Sequence, residues 1–181
     1  KGDRKILTYG GMRTLDVDTV FFATGRRAAT RNLGLENVGV TVNKNGAVVI
    51  DAQLRTAAPK IYAIGDVTDR INLTPFAIAE GHALADSLFG KNPRAVSLDN
   101  VPAAVFSTPP IGTVGLTEEQ AAADGPLDVY VAKFTPMRHT LSGRARKTMM
   151  KLVVDQASQK IVGAHMLGED APELIQGIAI A

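Results

Sequence analysis

The feature that most constrains this chain is a short apolar run that ends in Gly-Asp and is soon followed by a helix start. Residues 61–66 are IYAIGD, and Thr74-Pro75 opens a stretch with helical spacing of apolar residues up to Gly90. The run is typical of a strand buried on both faces, and Thr at the cap followed by Pro is favoured at a helix start. This order indicates an α/β unit with Asp66 at the sheet edge where such sheets bind ligands.

Upstream of that unit the pattern predicts further strands. Residues 5–9 (KILTY) and 19–24 (TVFFAT) are short β-branched or aromatic runs, with Gly10-Gly11 between them as a turn signal. Residues 38–51 alternate on either side of Lys44-Asn45-Gly46, which predicts a hairpin.

A polar segment with a proline, residues 90–100 (GKNPRAVSLDN), marks a predicted domain boundary. Beyond it, Thr117 is predicted to cap a short Ala-rich helix, and Asp170 to Glu173 to open a final helix. Strands are predicted over 101–107, 128–135, 147–155 and 160–167. We therefore expect an antiparallel α+β domain with its helices on one side.

Composition limits the function. The chain has 181 residues, 45% of them apolar and 21% charged, which suits one or two folded domains. No apolar run is long enough to span a membrane, and the formal net charge of +2 is interspersed, so neither membrane nor nucleic acid is an expected partner. The default expectation is a cytoplasmic protein. The chain contains no cysteine, which excludes disulfides, thiolate metal sites and a cysteine nucleophile within it.

The two ends suggest a chain truncated on both sides. It starts in a polar stretch without an initiator Met, and it stops inside a predicted amphipathic helix with no Gly or Pro after it. We therefore expect a segment of a longer polypeptide.

Several stretches resemble the pyridine nucleotide–disulfide oxidoreductase family. Residues 56–66 (TAAPKIYAIGD) are similar to its second FAD-binding fingerprint, which is Thr, four variable residues, an aliphatic, an aromatic, Ala, an aliphatic and Gly-Asp. The ATG at 23–25 resembles a strand-end motif between its two nucleotide domains. The dimerisation domain of the glutathione reductases is similar to residues 105–121, 134–143, 150–155 and 161–181. Residues 65–75 (GDVTDRINLTP) resemble the plant and bacterial branch of these enzymes.

The resemblance implies a fold class and a domain layout. The expected fold is α/β plus α+β: the second lobe of an FAD/NAD(P)-binding Rossmann-like domain, then the α+β dimerisation domain. Residues 1–25 would end the NADPH-binding domain, 26–98 would be the second part of the FAD-binding domain, and 99–181 an incomplete dimerisation domain.

The resemblance also implies roles for the Gly-Asp motif and the helix start. A carboxylate accepts hydrogen bonds from sugar-type hydroxyls, and Asp66 corresponds to the residue that binds the ribityl chain of FAD. The helix start, with its unpaired N–H groups and positive dipole end, would lie against the pyrimidine edge of the flavin. The residues implied to bind FAD or NADPH are Gly25, Arg26, Gly65, Asp66, Leu73, Thr74, Pro75 and Ala77. The alternative is that Asp66 is a turn residue and Thr74 an ordinary cap; for Arg27 we favour a solvated surface role.

Candidate substrate residues come from the segment FTPMRH at 134–139, which resembles a glutathione-contacting loop. Met137 would supply an adaptable apolar contact and Arg138 a fork for a carboxylate, although Arg138 could equally be a surface charge. His82 lies where many relatives have an arginine and others a small residue. The resemblance therefore leaves open whether the helix that starts at Thr74 helps to bind an anionic substrate. We expect structural or surface roles for His139 and His165, and no metal site.

The function implied is NADPH-dependent reduction of glutathione disulfide by an FAD-containing homodimer, as part of thiol redox homeostasis. Disulfide exchange requires a thiolate, so no residue of this cysteine-free chain is assigned as catalytic, and the chain by itself is expected to be inactive. Three alternatives remain: a trypanothione reductase, another disulfide reductase of the family, and a non-catalytic self-associating module.

Overall fold

The computed structural model describes residues 4–181. The chain divides into two compact units, Lys1–Ala95 and Val96–Ala181. The division falls inside the polar segment 90–100.

The first unit begins with a two-stranded antiparallel hairpin. Strand β1 (Lys5–Tyr9) pairs with strand β2 (Arg13–Val17), and the turn between them uses Gly10 and Gly11 at φ values of 55° and 93°, a region that glycine enters readily. The predicted strand at 5–9 and its turn are therefore confirmed.

The strand predicted over 19–24 is wrong. These residues form no regular element, and the side chains of Phe21 and Phe22 are 87% and 78% exposed. An apolar run becomes a strand only when another strand satisfies its backbone groups, and no described residue pairs with this one.

The core of the first unit is small. One cluster within it has Val40, Val48 and Ala58 as its buried members, with Leu35 packed against them, and Leu35 begins a short 3-10 helix (Leu35–Val38). The hairpin predicted over 38–51 is confirmed in its turn, where the Asn43 carboxamide accepts from the backbone N–H groups of two later residues at 2.9 and 3.0 Å. Its strands reduce to one bridge between Val42 and Val48.

The apolar run 61–64 is also not a strand in this structure. Tyr62 forms an isolated bridge with Arg55, and all four residues are half-buried. A strand buried on both faces needs neighbours on both edges, which the described residues do not provide. After the run, the chain turns through a second 3-10 helix, Gly65–Thr68.

Helix α1 spans Thr74–Phe89, as predicted. Its cap differs from the prediction, because Leu73 occupies the N-cap position, Thr74 is the first helical residue, and no side chain caps the helix. The Leu73 carbonyl accepts from the Ala77 N–H at 3.0 Å, which begins the helix one residue early. The buried residues of α1 are Phe76, Glu80 and Ala83.

The second unit is built on a five-stranded antiparallel sheet. The strands are β3 (Ala103–Val105), β4 (Ile111–Gly115), β5 (Leu127–Phe134), β6 (Thr148–Asp155) and β7 (Ile161–Leu167), in the spatial order β3-β4-β7-β6-β5. The prediction of β5, β6 and β7 is confirmed. The strand predicted over 101–107 is shortened to three residues, and β4 was not predicted, because two of its five residues are glycines, which strands disfavour.

Helices cover both faces of this sheet. Helix α4 (Ala171–Ile180) packs its buried Ile175 against Val114, Ala164 and Met166. Helix α2 (Glu118–Ala121) is capped by Thr117 as predicted, in a capping box with Gln120.

Glu118 of α2 pairs with Lys151 of β6. Lys151 pairs in register with His165, the residue after Ala164 on β7. Lys151 therefore projects from the face opposite Ala164 and α4, and the expectation of helices on one side is wrong.

Two further observations complete the fold. A one-turn helix α3 (Met137–Thr140) forms where the sequence predicted a loop. Among residues 4–181, no helix is both long and apolar enough to cross a bilayer.

Candidate functional site

The Gly-Asp motif forms a tight turn in the first unit. Gly65 adopts a φ of 69°, and its carbonyl accepts from the Thr68 hydroxyl at 2.8 Å. The Asp66 carbonyl accepts from the N–H of Asp69, which is also left-handed at a φ of 50°. Glycine adopts this conformation without the Cβ penalty of other residues, so the sequence Gly-Asp sets the position of the carboxylate.

The Asp66 carboxylate faces an open cavity of about 290 Å³. Its side chain is 55% exposed, and one Arg26 nitrogen lies 3.9 Å from an Asp66 oxygen. An exposed pair at this separation is weak, so the carboxylate remains free to accept hydrogen bonds from a ligand. The cavity is lined by Arg26, Arg27, Ala28, Ala29, Asp66, Val67, Asp69 and Asn72.

The start of α1 lies against this turn. A Cβ built on Gly65 would be 3.0 Å from the Cβ of Ala77, so the helix contacts the turn at a point where only glycine fits comfortably. Thr74 and Pro75 are exposed in the first turn of the helix, which contains no acidic residue. The positive end of the helix dipole is therefore not neutralised by its own first turn.

Gly25 is exposed at a φ of 120°, with open space where a Cβ would be. The structure thus brings Arg26 to Asp66, and Ala77 to Gly65, within the first unit.

Glu80 is part of this site and was missed by the sequence analysis. Its side chain is fully buried; one carboxylate oxygen accepts from the Gly65 N–H at 2.6 Å, and the other pairs with Arg70. The available signal was the spacing of Phe76, Glu80 and Ala83, which places a carboxylate in the middle of an inward-facing helical stripe.

The predicted substrate residues of the second unit lie on and beside α3. Met137 is 87% exposed. Arg138 donates to Glu169 at 2.7 Å and also to Asp170. These carboxylates raise the pKa of Arg138, and the hydrogen bond from Arg138 is the main reason that the pKa of Glu169 is lowered. Two nitrogens of the proposed fork are therefore already engaged within the chain.

The three histidines differ in environment. His82 is exposed on α1. His139 is buried, with its Nε2 3.6 Å from Glu169. The ring nitrogens of His165 contact the Thr113 hydroxyl at 2.6 Å and the Leu116 carbonyl at 3.0 Å, which confirms a structural role for His165. Among residues 4–181, no group of three or more His, Asp or Glu side chains is arranged to hold a metal ion.

Chemically, the first-unit site offers a carboxylate that can accept hydrogen bonds from hydroxyl groups, beside a cationic side chain and a helix N-terminus.

Two family models match the chain. The one described as "Pyridine nucleotide-disulphide oxidoreductase" covers residues 1–81, and the one described as "Pyridine nucleotide-disulphide oxidoreductase, dimerisation domain" covers residues 101–181. The chain belongs to the pyridine nucleotide-disulphide oxidoreductases. The first of these domains is of the FAD- and NAD(P)-binding type.

Curated members of the pyridine nucleotide-disulphide oxidoreductases are close in sequence. A glutathione reductase of Burkholderia cepacia is 51% identical over 168 residues, which is 92% of this chain and 37% of the relative. The chloroplastic/mitochondrial glutathione reductase of Pisum sativum is 51% identical over 89% of this chain and 29% of its own length. A trypanothione reductase of Trypanosoma congolense is 47% identical over 97% of this chain and 36% of its own.

A solved structure of the family shares the fold. The HOCl-induced flavoprotein disulfide reductase RclA of Escherichia coli superposes with a TM-score of 0.82 at 35% identity, covering 95% of this chain and 40% of that one. The chain thus spans between about three and four tenths of the length of these relatives.

Proposed function

We propose that this chain is part of an FAD-dependent enzyme that uses NADPH to reduce glutathione disulfide to glutathione. The proposal rests on the 51% sequence identity to glutathione reductases from a bacterium and a plant over about nine-tenths of the chain. The exposed Asp66 carboxylate beside an uncapped helix start supports it, because this is the chemistry that a flavin's hydroxylated chain and electron-rich ring require.

The residues present fit part of an FAD site. Asp66 would accept hydrogen bonds from the hydroxyls of the ribityl chain, and Gly65 would let the backbone approach the cofactor. Arg26 lines the same cavity, and Gly25, the residue before it, would let the backbone approach the cofactor. Residues Leu73, Thr74, Pro75 and Ala77 would present the positive end of α1 to the flavin. When bound, FAD would carry the reducing equivalents supplied by NADPH.

For the substrate, we propose contacts from Met137, Arg138 and His82. Met137 is exposed enough to contact a ligand. Arg138 holds Glu169 and Asp170, so it would bind a glutathione carboxylate either with its remaining N–H groups or by giving up one of these partners. His82 would offer a hydrogen bond where many relatives offer a cation.

The redox chemistry on the disulfide would come from residues outside this chain. Disulfide exchange proceeds by thiolate attack, and the 181 residues contain no cysteine. The role of this chain in the reaction would therefore be to bind and orient the cofactor and the substrate.

A trypanothione reductase is the second candidate. It is favoured by the 47% identity to the Trypanosoma congolense enzyme over almost the whole chain. The ratio of kcat/KM for glutathione disulfide and trypanothione disulfide, measured on the complete protein, decides between the two.

We also propose that the complete protein is a cytoplasmic homodimer. The match of residues 101–181 to a dimerisation domain supports self-association. Light scattering behind a sizing column measures the mass in solution, and a monomer at micromolar concentration would contradict the dimer. Cell fractionation tests the location.

The main test uses the complete protein that contains these residues. We expect a visible flavin absorbance band, and NADPH oxidation that depends on glutathione disulfide and releases thiols. We expect Asp66→Asn to weaken FAD binding. Asp86→Asn, a change in an exposed ion pair of the same helix, serves as the control. A protein without flavin, or one that reduces neither disulfide, would refute the proposal.

A further inference from the structure

Glu80 is a buried carboxylate in an apolar environment. Its side chain has no exposed surface, and its neighbours along the inward face of α1, Phe76 and Ala83, are 6% and 1% exposed. A buried charge is unfavourable unless it is paired and hydrogen-bonded. The partners of Glu80 therefore explain how a carboxylate is tolerated at this position.

Those partners bracket the turn that carries Asp66. One Glu80 oxygen accepts from the N–H of Gly65, the first residue of the 3-10 helix, and the other pairs with Arg70, two residues beyond its end. Both contacts come from one side chain of α1. The turn is thus tied to the helix at its beginning and just after its end.

The turn needs such support because its backbone is unusual. Gly65 and Asp69 have φ values of 69° and 50°, a conformation that an aspartate adopts at some cost. Ala77, one turn before Glu80 on α1, closes against Gly65. Glu80 adds directed bonds to this packing contact, and directed bonds fix orientation where packing fixes only distance.

We propose that Glu80 is a positioning residue for the cofactor site. Its hydrogen bonds hold the Gly65–Asp66 turn against α1. The Asp66 carboxylate and the N-terminus of α1 therefore keep a fixed relative geometry toward one ligand. Arg70 provides the second contact and pairs its positive charge with the buried Glu80 carboxylate. This inference rests on the proposed function, in which Asp66 binds a hydroxyl-bearing flavin.

The experiment measures FAD affinity in the complete flavoprotein after removal of the bound flavin. Glu80→Ala removes both contacts, whereas Glu80→Gln keeps an oxygen that can accept from Gly65 and loses the charge that pairs with Arg70. We expect Glu80→Ala to raise the Kd for FAD roughly tenfold to a hundredfold, and Glu80→Gln to raise it less. Asp86→Asn, on the same helix, should leave the Kd unchanged.

A double-mutant cycle separates positioning from general stability. If Glu80 acts through Asp66, Glu80→Ala should weaken FAD binding much less in an Asp66→Asn background than in the wild type. A residue that only stabilises the fold would weaken binding by the same factor in both backgrounds. If Glu80→Ala does not fold, the same cycle is run with Glu80→Gln.

The outcomes are distinguishable. The positioning role is overturned, and the proposed function stands, if Asp66→Asn weakens FAD binding but neither Glu80 variant does. The same conclusion follows if the fold-changes in the Kd for FAD caused by Glu80→Ala and by Asp66→Asn multiply in the double variant. A wild-type protein that binds no FAD would overturn both.

Discussion

Gly65 shows how one residue sets the geometry of the candidate site. Its φ of 69° lies in the left-handed region that favours glycine. A Cβ at this position would also crowd the Cβ of Ala77 at 3.0 Å. Asp66 follows at once, so the position of the carboxylate depends on the conformation of the residue before it.

We predict that Gly65→Ala destabilises the protein by about 1–2 kcal/mol, because alanine is strained at this φ and its Cβ would crowd Ala77. Urea unfolding followed by circular dichroism measures the change. Gly81→Ala is the control, since its Cβ would be at an ordinary 3.5 Å from Ile64 within a helix that favours alanine. Equal stability of the two variants would show that the left-handed conformation carries no cost.

Arg138 and Glu169 give a prediction for pH. Arg138 lowers the pKa of Glu169 in the folded state, so the pair stabilises the fold fully above the unfolded pKa of a glutamate, about 4.3. That stabilisation is lost as the pH falls through the lowered folded pKa.

We therefore expect Arg138→Met to lower the unfolding temperature at neutral pH, and the difference from wild type to shrink as the pH falls below the ordinary range of a glutamate. Thermal unfolding from neutral pH to pH values below that range measures it. Arg144→Met removes an exposed arginine for which no ion pair is found among residues 4–181, and should show no such dependence. A difference in unfolding temperature between Arg138→Met and the wild type that stays constant with pH would contradict the role of Glu169.

At the scale of elements, the packing of α4 on the sheet depends on a glycine. A Cβ on Gly112 of β4 would lie 2.6 Å from the Ala171 carbonyl oxygen and 2.7 Å from Ile175 Cγ1. Both atoms belong to α4, so the helix can approach the sheet this closely only where the strand has no side chain.

We predict that Gly112→Ala lowers the free energy of unfolding by about 1–3 kcal/mol, the usual cost of overpacking. Gly177→Ala, within α4 and with nothing near its Cβ position, should instead raise it by up to about 1 kcal/mol. Chemical denaturation of the two variants measures both signs. A neutral Gly112→Ala would mean that α4 can move away from the sheet at little cost.

The elements also show which predictions a sequence supports. Helix α1 was placed correctly because its backbone hydrogen bonds lie within the segment, and β5 to β7 because successive antiparallel strands find partners nearby in the chain. The runs 19–24 and 61–64 were predicted as strands from the same apolar signal and are not strands here, because a strand requires a partner that its own residues do not specify.

For the whole molecule, composition already limits the chemistry. A chain without cysteine cannot form the thiolate that attacks a disulfide. We predict that the purified 181-residue chain does not oxidise NADPH in the presence of glutathione disulfide, as followed by the loss of NADPH absorbance. The complete protein, assayed alongside, should do so. Turnover by the 181-residue chain alone would refute the assignment of the redox step to residues outside it.

The sequence by itself determined helix α1, strands β5 to β7 of the second unit, the family resemblance and the absence of thiol chemistry. These follow from local conformational preferences, from short-range patterns and from composition. Only the tertiary structure decided that Glu80 holds Gly65 and Arg70, that Arg138 holds Glu169 and Asp170, and that helices cover both faces of the sheet. Such contacts join residues ten or more positions apart, and their energy depends on burial and direction that no local pattern contains.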